Sequence, residues 1–150
     1  MTEVLFYHLT QTPLEATLPT LLTKSLERGW RVRIQGPNRD ALGRLDRHLW
    51  TYDDQSFLPH AMAGGPHDAQ QPILLSTDDA NANNAAVLML VDGVHPLEKD
   101  LKQYTRACVF FDGNDPDQVG ATRDYWTSLK SSGLETRYWA QDNGKWVQKA

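Results

Sequence analysis

Cysteine is almost absent from this sequence. Cys108 is the sole thiol, which excludes an internal disulfide and any multi-thiolate metal site built from one chain. It lies in Ala-Cys-Val-Phe-Phe, a setting for a buried structural thiol rather than a nucleophile. No apolar run approaches the ~20 residues that a membrane span needs. The opening Met-Thr-Glu-Val-Leu-Phe also lacks the basic start and apolar core of a signal peptide, so a soluble, cytoplasmic protein without membrane attachment is expected. Basic charge is scarce in the middle third: residues 51–100 carry Lys99 against eight acidic side chains, in a chain of net charge -4. A broad nucleic-acid footprint needs clustered cations and is not expected. Glycine is missing where a phosphate-binding fold requires it. The segment Leu9-Thr10-Gln11-Thr12-Pro13 has none, and neither G-x-G-x-x-G nor G-x-x-x-x-G-K-[ST] occurs, so a nucleotide site is not expected.

What is present is enough apolar residue, 40% of 150, for one domain spanning residues 1–150. Residues 4–9 read as a buried strand. Leu14, Leu18, Leu21, Leu22 and Leu26 follow at helical spacing with Gly29 as a stop; Pro19 predicts either a helix starting near Thr17 or a kink. Residues 30–35 alternate into Val32 and Ile34 as a second strand, and Asn38 caps a helix through Ala41, Leu42, Leu45 and Leu49. A glycine-rich linker leads to a strand at residues 73–75. Residues 78–85 show no packing pattern and predict a loop or short helical turn. Residues 87–91 and 108–111 are continuous apolar runs ending in Asp92-Gly93 and Asp112-Gly113, as in parallel strands buried on both faces, with a short helix within residues 97–104. Asp115-Pro116 starts a long helix that Gly133 stops, and residues 138–147 form a hairpin about Asn143-Gly144, with Trp139 and Trp146 on one face. The order predicts an α/β fold: a Rossmann-like, mostly parallel sheet flanked by helices, with a C-terminal β-hairpin.

Four groups could carry function. Asp92 and Asp112, at the C-terminal ends of parallel strands, could hold Mg²⁺ or could simply be turn residues. His60 and His67 lack a third metal ligand at a recognised spacing. On the helix after Asp115, the stripe Val119, Arg123, Trp126 and Lys130 lies opposite Ala121, Tyr125, Ser128, Leu129 and Ser132. With the second group against the sheet, a tryptophan between two cations faces solvent and suits an acidic peptide ending in an apolar side chain. With Trp126 against the sheet, Arg123 snorkels beside it. The fourth group is residues 49–60, which place Trp50, Tyr52, Phe57 and Leu58 beside Asp53, Asp54, Pro59 and His60. Such a segment either plugs the edge of a core or presents a surface to a partner.

These residues resemble the chi subunit of bacterial DNA polymerase III holoenzyme over most of the chain. The similarity runs through Phe6-Tyr7, Gly29-Trp30-Arg31-Val32, Arg44-Leu45-Asp46, Leu49-Trp50 and Ala63-Gly64, and through Arg123-Asp124-Tyr125-Trp126 with Lys130 and Gly133. Its most specific part is Leu-Trp followed six residues on by Ser56-Phe57-Leu58-Pro59-His60. The resemblance implies a Rossmann-like fold with no bound nucleotide, cofactor, metal or catalytic residue. It implies a non-catalytic replisome adaptor that links the clamp loader, through the psi subunit, to the acidic, phenylalanine-ended C-terminal tail of single-stranded DNA-binding protein. A DNA-repair helicase is a further implied partner, and DNA is reached only indirectly. Trp50, Phe57, Pro59 and His60 then belong to the psi or helicase surface, and Val119, Arg123, Trp126, Thr127 and Lys130 to the tail site. Val119 and Thr127 stand where the best-known members carry lysine, so that pocket should lean on Arg123 and Lys130. The competing class is a Mg²⁺-dependent phosphate-processing enzyme using Asp92 and Asp112.

Overall fold

The computed structural model describes residues 2–51, 58–142 and 145–150. The expected α/β layout is present as one eight-stranded sheet in the order β3-β4-β2-β5-β6-β1-β7-β8, parallel throughout except for the terminal β7–β8 pair. The strands are β1 (Glu3–Leu9), β2 (Val32–Gln35), β3 (His60–Met62), β4 (Ile73–Ser76), β5 (Val87–Leu90), β6 (Arg106–Asp112), β7 (Glu135–Asp142) and β8 (Lys145–Gln148). Helices α1 (Leu14–Glu27) and α2 (Arg39–Thr51) cover one face, α3 (Glu98–Leu101) and α4 (Pro116–Ser131) the other.

Continuous apolar runs make these strands central because each must satisfy a core on both faces. Alternate residues of β1 divide cleanly: Leu5 and Leu9 join Leu18, Leu22, Leu42, Leu45 and Leu49 of α1 and α2, whereas Val4 and Phe6 join Leu101 and Leu129 of α3 and α4. Cys108 is in the first of these cores, buried as expected, and desolvation pushes its thiol up to about 12. Trp139 and Trp146 pack together with Tyr7 on that same face, as the hairpin register requires. The predicted turn, Asn143-Gly144, lies outside the described residues.

Pro19 does not mark a helix start near Thr17. Helix α1 begins at Leu14 and runs through the proline. The ring removes the N–H that would bond the carbonyl four residues back, and that carbonyl, on Glu15, instead accepts a hydrogen bond from His48 Nε2 of α2 at 2.8 Å. A tertiary contact therefore supplies what the local sequence withholds.

The loop at residues 77–86 also packs more firmly than its composition predicts. Among the described residues no helix covers β2 and β4 on the α3 and α4 side, and there β2 presents Arg33 and Gln35, both buried. The Arg33 guanidinium is 1% exposed and donates to Tyr104 Oη (2.8 Å), Ser76 Oγ, the Asp78 carbonyl and Gln35 Oε1 (each 2.7 Å). Gln35 Nε2 extends the network to Asp79. Asn83, fully buried, donates to the Val32 and Gln71 carbonyls. The loop thus caps the sheet through hydrogen bonds where a helix would use leucines.

Candidate functional site

Helix α4 starts as its sequence dictates. Asp115 caps it by accepting from Asp117 N (3.0 Å) and Gln118 N (3.4 Å), and Pro116 occupies the first turn. Its orientation on the sheet corrects one of the two faces considered from sequence. Ala121, Ser128 and Ser132 are exposed, while Thr122 and Leu129 are buried and Val119, Tyr125 and Trp126 are half-buried against the second core. Trp126 meets Phe6 edge-on at 5.2 Å and Tyr138 at 5.9 Å. The aromatic residues beneath the helix win because Phe6 and Tyr138 offer far more contact area to an indole than to small side chains.

Trp126 is consequently part foundation and part surface. Lys130 Nζ lies over its ring at 5.6 Å, and Arg123 and Lys130 are both exposed. Val119 flanks them half-buried. The Thr127 hydroxyl is spent within the helix, donating to the Arg123 carbonyl at 3.1 Å. The arrangement is an apolar strip bordered by two unburied cations, able to hold carboxylates beside an apolar side chain.

Two neighbours of this strip were not foreseen. His8 Nδ1 is hydrogen-bonded to Tyr138 Oη, and its ring lies 4.8 Å from Phe111. Burial holds the His8 imidazole below its ordinary value, and the Arg123 charge adds to that. The same burial raises the Tyr138 phenol, with Arg123 opposing. Only topology brings β1 and β7 together beneath α4, so no local pattern could have linked His8 to Arg123.

At the other end of the sheet, Trp50 closes α2 at 53% exposure, with its ring 4.4 Å from that of His60. His60 is buried in the edge strand β3, with Nδ1 2.5 Å from the Leu58 carbonyl and Nε2 3.2 Å from the Asp46 carboxylate. Leu58 is a core residue and does act as the edge plug; Pro59 is half-buried. Tyr52, Asp53, Asp54, Ser56 and Phe57 lie outside the described residues. His60 and His67 are not brought into a metal site, and among the described residues no three His, Cys, Asp or Glu side chains gather to hold a metal.

Asp92 and Asp112 do share one cleft, of about 430 Å³, at the C-terminal ends of the strands with Glu15, Asn114 and Gln118. Burial raises the Asp92 carboxyl, with Arg44 opposing and Glu15 adding to the rise. Asp112 Oδ1 accepts from Asn114 N at 2.9 Å, which is turn chemistry. The backbone N–H groups of Thr10, Gln11 and Thr12, where this type of fold would cradle phosphate, all converge on Gln141 Oε1 at 3.1, 2.9 and 3.2 Å. A neutral amide oxygen from the chain itself fills that position, beside carboxylates that would repel an anion.

The sequence profile of the DNA polymerase III chi subunit, HolC, matches residues 1–137. The chain belongs to the DNA polymerase III chi-subunit family. A similar protein is the probable DNA polymerase III subunit chi of Rickettsia prowazekii (strain Madrid E), 40% identical over 47 residues; the match covers 31% of this chain and 28% of that protein. This family is an accessory component of the replicative polymerase. In this chain the α4 strip and the Trp50 end are separate surfaces. Trp50 and His60 are brought together, as are Val119, Arg123, Trp126 and Lys130, while Thr127 sits beside the latter group with its hydroxyl engaged. Among the described residues no helix is long and apolar enough to cross a membrane.

Proposed function

We propose that this chi-family subunit is a non-catalytic replisome adaptor that docks the acidic C-terminal tail of single-stranded DNA-binding protein on α4. Val119 and Trp126 form the apolar floor for the terminal phenylalanine, and Arg123 and Lys130 receive the carboxylates. The observation carrying this reading is the strip itself: a half-buried indole held from below by Phe6 and Tyr138, with a lysine over its ring and an exposed arginine one turn away. Thr127, its hydroxyl committed to the helix, contributes only through its methyl group. The second surface, Trp50 with Phe57, Pro59 and His60, takes the clamp loader's psi subunit or a repair helicase, His60 fixing the Trp50 ring from behind. DNA is met through these partners.

Titration calorimetry with a peptide ending in Asp-Asp-Ile-Pro-Phe tests the tail site. Arg123→Ala removes an exposed cation without disturbing the core and should cost roughly 1–3 kcal/mol of binding. Affinity should fall with added salt, since the cations are solvent-exposed. Unchanged affinity in Arg123→Ala and Lys130→Ala alike removes the tail from α4.

A further inference from the structure

We propose that the cleft between the C-terminal end of α1 and the sheet is a direct contact for the phosphate backbone of single-stranded DNA. It lies apart from both proposed partner surfaces and runs against the expectation that DNA is reached only through other proteins. Lys24, Arg28 and Arg106 line it over a base of Tyr7, Trp30 and buried core side chains, around a space of about 70 Å³, and among the described residues no acidic side chain lines it.

Two of these cations are unspent. Arg106 pairs with Glu3 at 2.7 Å, but no ion pair among the described residues engages Lys24 or Arg28. Lys24 lies in the last turn of α1 and Arg28, four residues on, is its C-cap residue. Neither side chain is needed to cap it, because the last carbonyls are already taken: Lys24 O by Arg28 N, Ser25 O by Trp30 N and Leu26 O by Gly29 N. The guanidiniums of Arg28 and Arg106 lie over the Trp30 ring at 5.1 and 5.3 Å, which orders them before any ligand arrives.

The choice of occupant follows from what the cleft withholds. The apolar residues at its base, Val87, Met89 and Cys108, are only 1–3% exposed, Trp30 is covered by guanidinium groups and Tyr7 stacks on Phe110 at 5.0 Å, so little apolar surface is left for an anchoring side chain of an acidic peptide. What remains outward are N–H donors and flat cationic planes. These fit phosphate oxygens and stacked bases, both of which a single strand repeats at every nucleotide.

Fluorescence anisotropy with a dye-labelled oligo(dT) tests this with the intact protein. Binding should weaken on added salt with a log–log slope between about -1.4 and -2.1, the value for two or three phosphate contacts on a single strand. Lys24→Glu/Arg28→Glu should weaken binding at least about tenfold at low salt. Lys24→Gln/Arg28→Gln, which is gentler to the helix, should weaken it less and flatten the slope. Absence of binding at low salt overturns the proposal. So does an equal loss in the charge-matched Arg44→Glu/Arg47→Glu variant, which would make the effect one of net charge, and so does displacement of the oligonucleotide by polyglutamate at equal charge concentration.

Discussion

Arg33 offers the sharpest test of how the sheet is held, because a fully buried guanidinium must either be satisfied or unfold the chain. Four hydrogen bonds of 2.7–2.8 Å reach it from β2, β4, Tyr104 and the loop at residues 77–86. The Asp78 carboxylate is 3.8 Å away and 70% exposed, so its Coulomb attraction is secondary to the hydrogen bonds. Tyr104→Phe deletes one partner and leaves a buried charged donor unspent, at a cost of about 1.5–3 kcal/mol. Arg33→Met removes the charge itself but orphans Ser76 Oγ, Gln35 Oε1 and Tyr104 Oη; at about 1 kcal/mol or more per buried group, roughly 2–4 kcal/mol is expected. The double variant should cost about 1–3 kcal/mol less than the sum, since the second change removes a group the first has already orphaned. Urea unfolding, read as midpoint at constant slope, measures all three. Exchange of the amides in residues 77–86 should quicken in every variant. A neutral or stabilising Arg33→Met would refute the reasoning, showing that desolvation of the guanidinium outweighs its four bonds.

Three further outcomes follow from the described contacts. His8 and His95 are both held below the ordinary imidazole value chiefly by burial, so the unfolded chain binds more protons than the folded one below about pH 6.5. Stability should therefore be full above that pH and fall as pH drops through it, and His8→Gln/His95→Gln should flatten the slope. The comparison belongs above the carboxylate range, where the raised Asp92 acts in the opposite sense. Gln141→Ala strips the shared acceptor from three N–H groups; two of the three bonds are exposed to water, which limits the cost to about 1–2 kcal/mol. Hydrogen exchange at Thr10, Gln11 and Thr12 should accelerate, and unchanged protection there denies the latch. Gly113→Ala drives a methyl into the His8 ring and should cost about 1–3 kcal/mol, partly recovered by adding His8→Ala; strict additivity of the two would show that the clash is not the cause.

What could be read from sequence and what could not separates along one physical line. Strand cores, the Asp115-Pro116 helix start, the Gly133 stop, the buried Cys108 and the shared face of Trp139 and Trp146 depend on residues close in sequence, where propensity and periodicity act. Most of the failures involve a partner far along the chain. Pro19 sits inside α1 because His48 supplies a donor to Glu15. Arg33 and Gln35 are buried because residues 77–86 return to satisfy them. Strand β3 has three residues beside a glycine-rich segment, too few to show a period. The face of α4 was undecidable because its small and aromatic residues interleave; Phe6 and Tyr138 settle it from below. Of the candidate residues, the stripe on α4 emerged from spacing alone, but His8 and Tyr138 beside it did not.

The filled cradle at Thr10 to Thr12 bears on where such a protein can bind anything. In an open parallel sheet, ligands ordinarily enter outside the carboxyl ends of the strands, where backbone N–H groups meet phosphate. Here those donors are consumed by Gln141, and Glu15, Asp92 and Asp112 border the cleft. Restoring an anion site would require both withdrawing the Gln141 side chain and offsetting three carboxylates, whereas each exterior surface requires neither. The α4 strip and the Trp50 end of α2 lie on the outer helices and the Lys24/Arg28 cleft opens between α1 and the N-terminal ends of β5 and β6, so none of the three uses the corner that Gln141 fills. A fold whose interior corner is closed in this way can still recognise several partners at once, because surfaces on different helices do not compete for one crevice. On this reasoning the α4 strip and the Trp50 surface should be occupied independently, and saturating the first with a tail peptide should leave capture of a second protein through Trp50 unchanged.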